Sequence, residues 1–593
     1  MGKKQLVSEV FAETVKKYGA RTALKVKRGG AWQATSWEGY LAQSRRAGRA
    51  LVALGLQKGE AVVLIGFNSP EWVVADVGAI LAGGVPAGIY TTNTAPQCRY
   101  IAAHSNARVA FTENEVQTKK FLEIRHELLG LVAIVQMTGE PRAEGVLSWE
   151  AFLAKGDTIP DADLDARIAA QSPDDVCTLI YTSGTTGDPK AVMLTHDNLT
   201  WTADTTATHL RFGPDDVSLS YLPLSHIAEQ MLTLHGPMRI GSTVYFGESL
   251  EALPDNLREV RPTFFLGVPR VWEKMQAKMM AAGASAPPLR KKLVVWAKKV
   301  GLASGYADQR NEPKPLLYPI AKKLIFDKVR ERLGMDRLRV AVTGAAPISK
   351  DTLEFFLSLG IPLLEVYGMS ECTGPAAFSA PDAYRTGKAG RVVPGTELKI
   401  AEDGEICFRG RHIFKGYLKD EAATSAAIDG DGWLHSGDIG TLDRDNYVQI
   451  TDRKKDLLIT AGGENIAPQV IEGALKSLPV IGQAVVLGDR QKFLAALLTL
   501  DPDHVAKEAE SCGSSARDVA SASTDPVFVA HVEKQIARVN ATLARVQTIK
   551  KFKILPVDFS IDGGELTPTM KIKRKIVNEK YKSEIDALYA GAE

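Results

Sequence analysis

The chain has 593 residues, of which 45% are hydrophobic and 24% are charged, and its formal net charge is +2. This length exceeds the roughly 250–300 residues at which one core stops growing, so we expect at least two domains. The composition is that of a globular protein, the small net charge excludes a global field suited to nucleic acid, and no apolar run reaches the ~18 residues of a membrane span.

The amino-terminal segment is polar, and its apolar residues follow helical spacing. Val7, Val10, Phe11 and Val15 recur every three or four residues, which predicts a helix rather than the apolar core of a signal peptide. The five cysteines are scattered and never in CxxC spacing, which argues against a disulfide framework or a zinc site. We therefore expect a cytoplasmic protein.

From about Ala61 to Gly344, short apolar runs alternate with Gly/Ser/Thr/Pro loops and helical stretches. This alternation predicts α/β layers built on largely parallel sheets, in which ligands bind at the loops after the carboxyl ends of the strands. Three polar segments, 281–290, 302–314 and 507–526, are expected to be surface loops.

The loop after the strand-like run CTLI has the composition of a phosphate site. It reads YTSGTTGDPK from Tyr181 to Lys190. Glycines let backbone N–H groups approach an anion, hydroxyls donate hydrogen bonds, and the lysine supplies positive charge. It is not a Walker A loop, because Ala191 follows the lysine, and a plain surface turn is the alternative. The predicted contacts are Thr182, Ser183, Gly184, Thr185, Thr186, Gly187 and Lys190.

This loop resembles the phosphate loop of the adenylate-forming superfamily, which contains acyl-CoA synthetases, luciferases and peptide-synthetase adenylation domains. Further motifs similar to those of the family follow in the same order. They are YLPLSH (221–226), TGAAP (343–347), YGMSE (367–371), GWLHSGD (432–438), DRKK (452–455), GGEN (462–465) and PTMKIKR (568–574). The resemblance covers about residues 10 to 580, and HIFKGYLKDEAATSAAIDGDGWLHSGDIG is most similar to the bubblegum-type branch of long-chain fatty acyl-CoA synthetases.

The resemblance implies an α/β protein with two domains. Residues 1–454 would form a large ATP- and acyl-binding domain of layered α/β sheets. Residues 455–593 would form a small mobile α+β domain that carries the catalytic lysine and turns about a hinge at Lys455.

The nucleotide contacts of the family fall on residues with suitable chemistry. Glu371 offers a hard carboxylate ligand for Mg²⁺ shared with the substrate phosphates, and Thr182 is the second metal contact that the resemblance implies. Asp438 can accept hydrogen bonds from two ribose hydroxyl groups, and Arg453 is similar to the second ribose contact of the family. The implied adenine contacts are Tyr367, Gly368, Gly344 and Ala345.

The resemblance also assigns residues to the chemistry and to the acyl group. Lys571 matches the lysine that offsets the charge developing as a carboxylate attacks the α-phosphate. His226 would lie near the acyl carboxylate and the route of the thiol, although a buried structural histidine is the alternative. Trp272 and the neighbouring Val268 match an acyl-tunnel gate, or else belong to the core. Gly462 and Gly463 belong to the loop that would replace Lys571 in the second half-reaction.

The implied reaction has two half-reactions that use ATP, Mg²⁺ and coenzyme A. A fatty carboxylate is first converted to acyl-AMP and pyrophosphate, and coenzyme A then displaces AMP. One alternative is an adenylating enzyme that delivers the acyl group to a carrier protein or an amine. Another is a regulatory nucleotide-binding protein that has lost catalysis.

Two basic regions each allow two interpretations, a contact with a partner or an ordinary part of the folded chain. Residues 290–299, RKKLVVWAKK, are basic with an apolar face, a pattern that either lies on anionic lipid or packs on its own domain. The runs KKFK and KIKRK near the carboxyl terminus are either a solvated face or an attraction for the phosphates of a nucleotide or of coenzyme A. Oligomeric state and acyl chain length are not specified by the sequence.

Overall fold

A computed structural model describes residues 3–182, 188–284, 286–461, 464–567 and 570–590. The strands, in chain order, are β1 (Thr22–Arg28), β2 (Ala31–Ser36), β3 (Ala61–Ile65), β4 (Val85–Ile89), β5 (Ala107–Thr112), β6 (Ala133–Gln136), β7 (Val146–Ser148), β8 (Val176–Thr182), β9 (Lys190–Thr195), β10 (Val217–Ser220), β11 (Thr243–Phe246), β12 (Phe264–Gly267), β13 (Val340–Thr343), β14 (Leu363–Met369), β15 (Gly374–Phe378), β16 (Arg391–Val392), β17 (Glu397–Ile400), β18 (Glu405–Arg409), β19 (Gly416–Tyr417), β20 (Leu434–Leu442), β21 (Val448–Arg453), β22 (Leu458–Ile459), β23 (Asn465–Ile466), β24 (Ile481–Leu487), β25 (Leu494–Leu500) and β26 (Ile549–Ile554).

The helices, in chain order, are α1 (Val7–Tyr18), α2 (Trp37–Ala53), α3 (Pro70–Leu81), α4 (Ala95–His104), α5 (Glu115–Ile124), α6 (Trp149–Gly156), α7 (Asp161–Ala169), α8 (His196–Leu210), α9 (Ile227–Gln230), α10 (Gly236–Ile240), α11 (Leu253–Val260), α12 (Pro269–Ala284), α13 (Pro288–Arg310), α14 (Tyr318–Ala321), α15 (Asp327–Arg332), α16 (Lys350–Leu357), α17 (Glu421–Ala427), α18 (Pro468–Lys476), α19 (Pro502–Cys512), α20 (Val519–Ala522), α21 (Pro526–Asn540), α22 (Arg574–Lys580) and α23 (Lys582–Tyr589). Two π-helical segments, Met231–His235 and Lys322–Phe326, join neighbouring helices, and 3₁₀ turns occur at Arg125–Glu127, Ser370–Cys372 and Arg545–Gln547. Within the described ranges, no helix combines the length and apolarity needed to cross a membrane.

The largest sheet of the large domain is mostly parallel. Its strand order is β19-β9-β8-β4-β3-β5-β6-β7, with β3 to β8 parallel and β9 and β19 antiparallel at one side. Strand β3, with the sequence AVVLI, is buried at every position, as expected where helices cover both faces of a parallel sheet. The α/β fold expected from the alternation is confirmed.

A second sheet brings several predicted site residues to one edge. Its order is β12-β13-β14-β15-β16, and β12, β13 and β14 are parallel. Strand β13 ends at Thr343, just before Gly344, and β14 ends at Met369, just before Glu371. Because parallel strands end on the same side of a sheet, the TGAAP and YGMSE motifs meet at that edge.

Two four-stranded sheets complete the large domain. One has the order β10-β11-β1-β2, and the other has the antiparallel order β17-β18-β20-β21 and carries Asp438 and Arg453. Strand β21 ends at Arg453 and β22 begins at Leu458, so Lys455 lies in an exposed turn between them.

The small domain is built on the three-stranded sheet β24-β25-β26, preceded by the β22-β23 pair. Strands β24 and β25 are buried throughout, and α18, α19 and α21 supply apolar side chains to the same core. Helix α18 also packs near β21, where Asp452 accepts a hydrogen bond from the backbone N–H of Gln469 at 3.4 Å.

Three partly buried charge contacts cross from α12 to the small domain. The Arg270 guanidinium lies 3.5 Å from the carboxylate of Asp501 and 3.8 Å from that of Asp558. Glu273 lies 3.8 Å from the ammonium of Lys476. These contacts hold the small domain over the edge of the large one.

The surface-loop prediction for 281–290, 302–314 and 507–526 is wrong in part. In the first segment α12 continues to Ala284 and α13 begins at Pro288, and the third segment contains α20. Residues 302–310 continue α13, and 507–512 belong to α19. The small residues that favour a loop in the sequence allow helix packing here: a Cβ on Gly301 would lie 2.1 Å from the carbonyl oxygen of Ser358, and one on Gly305 would lie 2.3 Å from Leu357. The close approach of α13 and α16 therefore requires glycine at both positions.

Candidate active site

A cavity of about 2250 Å³ is lined by both domains. Nine residues predicted from the sequence line it: Thr182, Lys190, His226, Ala345, Gly368, Glu371, Arg453, Lys455 and Lys571. They come from segments spread over most of the chain, and the fold brings them to one place.

The predicted residues Gly344, Tyr367 and Asp438 do not themselves line the cavity, and Asp438 is the centre of a hydrogen-bonded group that lies behind the wall at Arg453. It pairs directly with Arg453 across β20 and β21, and the Nε of Arg453 lies 3.2 Å from its Oδ1. The hydroxyl of Tyr367 donates to Oδ2 at 2.7 Å. Burial, with the Asp438 charge beside it, raises the pKa of Tyr367 well above its usual value, so the phenol remains a donor. The buried carboxylate is thereby fixed in one orientation.

Glu371 and Lys190 are linked by Tyr417, which sequence analysis did not identify. The Tyr417 hydroxyl donates to Oε1 of Glu371 at 2.7 Å. The ammonium of Lys190 lies 4.9 Å from the centre of the same ring and 3.9 Å from a carboxylate oxygen of Asp420. A single aromatic ring therefore positions the predicted metal ligand and the predicted phosphate-binding lysine. Tyr417 lies on β19, at the edge of the sheet beside β9.

Thr182 ends β8 directly opposite Lys190 on β9. Its hydroxyl lies 3.4 Å from the carbonyl oxygen of Lys190. The two residues hold the ends of the predicted phosphate loop. Ser183, Gly184, Thr185, Thr186 and Gly187, predicted to form the loop itself, lie outside the described residues.

Lys571 reaches the cavity from the small domain. Its backbone N–H donates to Thr567 Oγ1 at 3.0 Å, and the Thr567 N–H donates to its carbonyl oxygen at 2.8 Å. Burial and, to a smaller extent, the charge of Arg453 lower the pKa of Lys571 to about 8, against the opposing charges of Asp438 and Glu371. The ammonium thus faces both predicted nucleotide-binding carboxylates and titrates close to neutral pH.

His226 precedes α9 and faces Lys571 across the cavity. Its Nδ1 accepts the backbone N–H of Ala228 at 3.2 Å, so the neutral ring carries its proton on Nε2. Burial and, to a smaller extent, the Lys571 charge lower the pKa of His226 to about 4. At neutral pH the ring is therefore a hydrogen-bond donor through Nε2 and cannot accept a proton there.

The backbone around the predicted adenine contacts is tightly constrained. A Cβ on Gly368 would lie 1.8 Å from the carbonyl oxygen of Gly374, so no larger residue fits. Gly344 is similarly crowded by Val366. Ala345 lines the cavity with φ of +69°, a left-handed conformation that is strained for a residue with a Cβ and is held by its surroundings.

Glu405 supports the loop before Asp438 and is a second residue that sequence analysis missed. It accepts the backbone N–H of Gly437 at 2.8 Å and the ammonium of Lys454 at 3.0 Å, and it lies 3.2 Å from Nδ1 of His435. Burial would raise the pKa of Glu405, but these donors hold it below its usual value. The charged group therefore fixes the turn that presents Asp438.

The predicted acyl gate is not brought to the cavity. Trp272 is completely buried, donates from Nε1 to the carbonyl oxygen of Val342 at 3.2 Å, and packs edge-on against Phe265 and Phe356. Val268 is also buried, and neither residue is among those that line the cavity. In this structure Trp272 is a core residue with a satisfied indole N–H. The predicted positions Gly462 and Gly463 lie outside the described residues.

Comparison with known proteins shows which family and which relatives this chain resembles. The model of a family described as AMP-binding enzyme matches residues 11–418, and that of the AMP-binding enzyme C-terminal domain matches residues 455–593. The chain is 46% identical to the long-chain-fatty-acid–CoA ligase ACSBG2 of Xenopus laevis, over 99% of this chain and 84% of the relative. It is 40% identical to human ACSBG2, over 98% and 92%, and 42% identical to the ligase ACSBG1 of Bos taurus, over 98% and 85%.

Solved structures share the fold at lower sequence identity. The anthranilate CoA ligase AuaEII, in complex with anthranoyl-AMP, superposes with a TM-score of 0.76 at 20% identity, covering 99% of each chain. The A-PCP didomain of the carboxylic acid reductase from Segniliparus rugosus, in complex with AMP, gives 0.77 at 20% identity, covering 100% of this chain and 83% of the other.

Proposed function

The chain belongs to the AMP-binding enzyme family, and from that premise we propose that it is an AMP-forming long-chain fatty acid–CoA ligase. Relatives with this name are 40–46% identical over nearly the whole chain. The observation that carries the proposal is the convergence of Lys571, Glu371 and Arg453 on one cavity that also has apolar walls, with Asp438 paired to Arg453 behind the wall.

In the first half-reaction an oxygen of the fatty carboxylate attacks the α-phosphorus of ATP, and the bond to the β-phosphate breaks to release pyrophosphate. Repulsion between the two anions is the main barrier. The Lys571 ammonium, held by the small domain and facing the cavity, would offset the charge that develops between them. Asp438 and Arg453 would bind the ribose, which fixes the distance between the reactants.

The residues present fit the Mg²⁺ that the family implies. Mg²⁺ prefers hard oxygen ligands, and the buried carboxylate of Glu371 and the hydroxyl of Thr182 both belong to that class. Among the described residues, the hydroxyl of Tyr417 is the side-chain donor seen on Glu371, and it orients the carboxylate. Bound Mg²⁺ would neutralise phosphate charge, while Lys190 supplies a fixed cation at the phosphate loop.

In the second half-reaction the sulfur of coenzyme A attacks the acyl carbonyl carbon, and the bond to AMP breaks. Nε2–H of His226 is directed to donate to an oxygen, so we assign it to the acyl oxygen and not to deprotonation of the thiol. Lys571 would leave the site when the small domain turns about Lys455, and the Gly462–Gly463 segment would take its place. The polar α12 interface supports such a turn, because it consists of partly buried charge contacts at 3.5–3.8 Å, and interfaces between domains of one chain commonly permit relative domain motion.

The apolar part of the cavity supports a fatty acyl group. It is bounded by side chains from α8 and the turn after it, from the π-helical segment Met231–His235, and from β12, β13, β14 and β15, including Leu210, Phe212, Leu232, Phe264, Leu266 and Phe378. These walls favour an alkyl chain over an amino acid or a polar acid. A cytoplasmic location is part of the same proposal, supported by five cysteines that are all free thiols, since disulfides persist mainly in oxidising compartments.

The test is pyrophosphate release from purified protein with MgATP and a series of saturated acids of increasing length, with and without coenzyme A. We expect long acids to support release and acyl-CoA to form only when coenzyme A is present. Adenylate that never transfers to coenzyme A would point to a carrier-protein or amine acceptor. If no carboxylate supports release, the proposal is wrong.

A further inference from the structure

The segment from Pro288 to Arg330 differs in charge from the rest of the protein. It contains eleven Lys and Arg residues against three Asp and Glu residues, whereas the whole chain has a net charge of only +2. The remainder of the protein is therefore net acidic. Each of the three acidic residues in the segment is already paired within it, in the pairs Lys314–Asp308, Arg310–Glu312 and Lys322–Asp327.

The same region holds an unusual concentration of exposed apolar side chains. Of the 19 large hydrophobic residues exposed in the described chain, eight lie between residues 280 and 324. They are Met280, Leu289, Leu293, Val295, Leu316, Leu317, Ile320 and Leu324. Leu316 is 95% exposed and Leu289 is 81% exposed, so these side chains do not fold back onto the protein. Such clustering, unlike scattered exposed residues, marks an interaction surface.

The segment has two helical arms, α13 and the stretch from α14 through the π-helical turn at Lys322–Phe326, which we call the α14 arm. The arms pack on each other through one face each, and the opposite face of each arm is uncovered. Ala297 of α13 packs with Ala321 and Ile325 of the α14 arm. On the α14 arm, Leu317, Ile320 and Leu324 follow helical spacing on the opposite, exposed side. We call residues 288–326 the basic hairpin; it comprises α13, the connection at 311–317, α14 and the π-helical turn at Lys322–Phe326. Its outer surface presents an apolar stripe beside exposed Lys322 and Lys323.

The basic hairpin also contacts the acyl end of the cavity. The second half of α13 contributes Leu302 and Tyr306 to the core cluster that contains Leu210, Phe264 and Phe378, and these three residues line the cavity. One helix therefore has its carboxyl-terminal half against the apolar cavity wall, and its amino-terminal half carries the exposed sequence LRKKLVV.

We propose that the basic hairpin is a docking surface for an anionic phospholipid bilayer. The apolar stripe would enter the interface between headgroups and acyl chains, and the surrounding lysines would lie at the level of the lipid phosphates. Docking would bring the acyl end of the cavity close to the phase in which long-chain acids dissolve. The docking itself follows from charge and exposure, and only its purpose rests on the proposed function.

The experiment is co-sedimentation of the full chain with vesicles of phosphatidylcholine alone or with about 30% phosphatidylserine, at low and high salt, without ATP or fatty acid. We expect binding only to the anionic vesicles, weakened by salt. Leu316→Glu should lower the vesicle affinity about tenfold, whereas Leu129→Glu, at a leucine that is also 95% exposed but lies elsewhere, should leave it unchanged.

A second pair of variants separates the hairpin from overall charge. Lys322→Glu combined with Lys323→Glu should abolish most vesicle binding, while Lys16→Glu combined with Lys17→Glu makes the same change in net charge on exposed α1 and should not. Equal losses in both pairs, or no binding to anionic vesicles at low salt, would overturn the proposal. So would a wild-type dimer that becomes monomeric with Leu316→Glu while vesicle binding persists, since the surface would then be occupied by a second copy.

The outcome is independent of the catalytic proposal. Vesicle binding without any acid-dependent pyrophosphate release would leave the docking surface standing and remove the ligase assignment. Pyrophosphate release with long-chain acids but no vesicle binding would support the ligase assignment and overturn the docking surface. Leu316→Glu should keep the wild-type midpoint of thermal unfolding, which shows without any activity measurement that the variant is folded.

Discussion

Lys571 offers the sharpest quantitative test, because its charge state should control the first half-reaction alone. Burial and the neighbouring Arg453 lower its pKa to about 8. The ammonium is the useful form, so activity is complete below this pKa and is lost as the pH rises through it. With a pKa of about 8, the protonated fraction falls about tenfold between pH 7 and pH 9. At subsaturating MgATP, where the rate of adenylate formation reports the free enzyme, this rate should fall by the same factor.

Three substitutions sharpen the prediction. Lys571→Ala removes one preorganised cation, which typically lowers a rate ~100-fold to ~1,000-fold. Lys571→Arg keeps a cation that does not titrate in this range, so its residual rate should be flat from pH 7 to pH 9. Arg453→Gln removes a neighbour that lowers the pKa, so the loss of rate should move to higher pH.

The assay is a single-turnover, rapid-quench measurement of acyl-adenylate without coenzyme A, which keeps thiol ionisation out of the profile. As a control, transfer from preformed acyl-adenylate to coenzyme A should survive Lys571→Ala. A rate that stays constant between pH 7 and pH 9, together with a Lys571→Ala protein that forms adenylate normally, would refute the reasoning.

Three further predictions concern residues around the cavity. Tyr417→Phe removes the hydrogen bond to Glu371 but keeps the aromatic ring beside Lys190. We expect kcat/KM for MgATP to fall about 10-fold to 100-fold while thermal stability is unchanged. A wild-type kcat/KM would contradict this role of the Tyr417 hydroxyl. Arg270→Ala removes the charge contacts between α12 and the small domain, so it should slow adenylate formation but not transfer to coenzyme A. Equal effects on both steps would show that this interface is not specific to the conformation in which Lys571 faces the cavity. Trp272→Phe should lower the free energy of unfolding, measured by denaturant titration, by about 2–3 kcal/mol. The preference for acyl chain length should not change. A changed preference would show that Trp272 does act as an acyl gate.

Much of the candidate site could be predicted because its chemistry is local in the sequence. Glu371 and Gly344 each follow a short strand that begins with apolar residues, so their places at a sheet edge follow from chain order. Asp438 and Arg453 lie in motifs whose residue types suit a ribose. The spacing of Val7, Val10 and Phe11 likewise predicted α1, which is confirmed.

What failed depended on contacts between distant segments. Residues 302–310 have a loop-like composition, but helix-on-helix packing decides that they are helical, since glycine lets α13 approach α16. For Trp272 the sequence left two alternatives open, a gate or a core residue, and the tertiary structure places the side chain in the core, where the indole N–H finds a partner on β13.

The sequence by itself determined the family, the order of the motifs and the residue types available for nucleotide chemistry, because each motif needs only its neighbours to have the right form. Tertiary structure decided which residues touch. Tyr417 reaches Glu371 across 46 residues, and Arg270 reaches Gly482 across 212. The basic hairpin is a surface only because packing buries one face of each arm and leaves the other exposed. Side-chain burial and charge proximity are properties of the folded chain, and no local pattern encodes them.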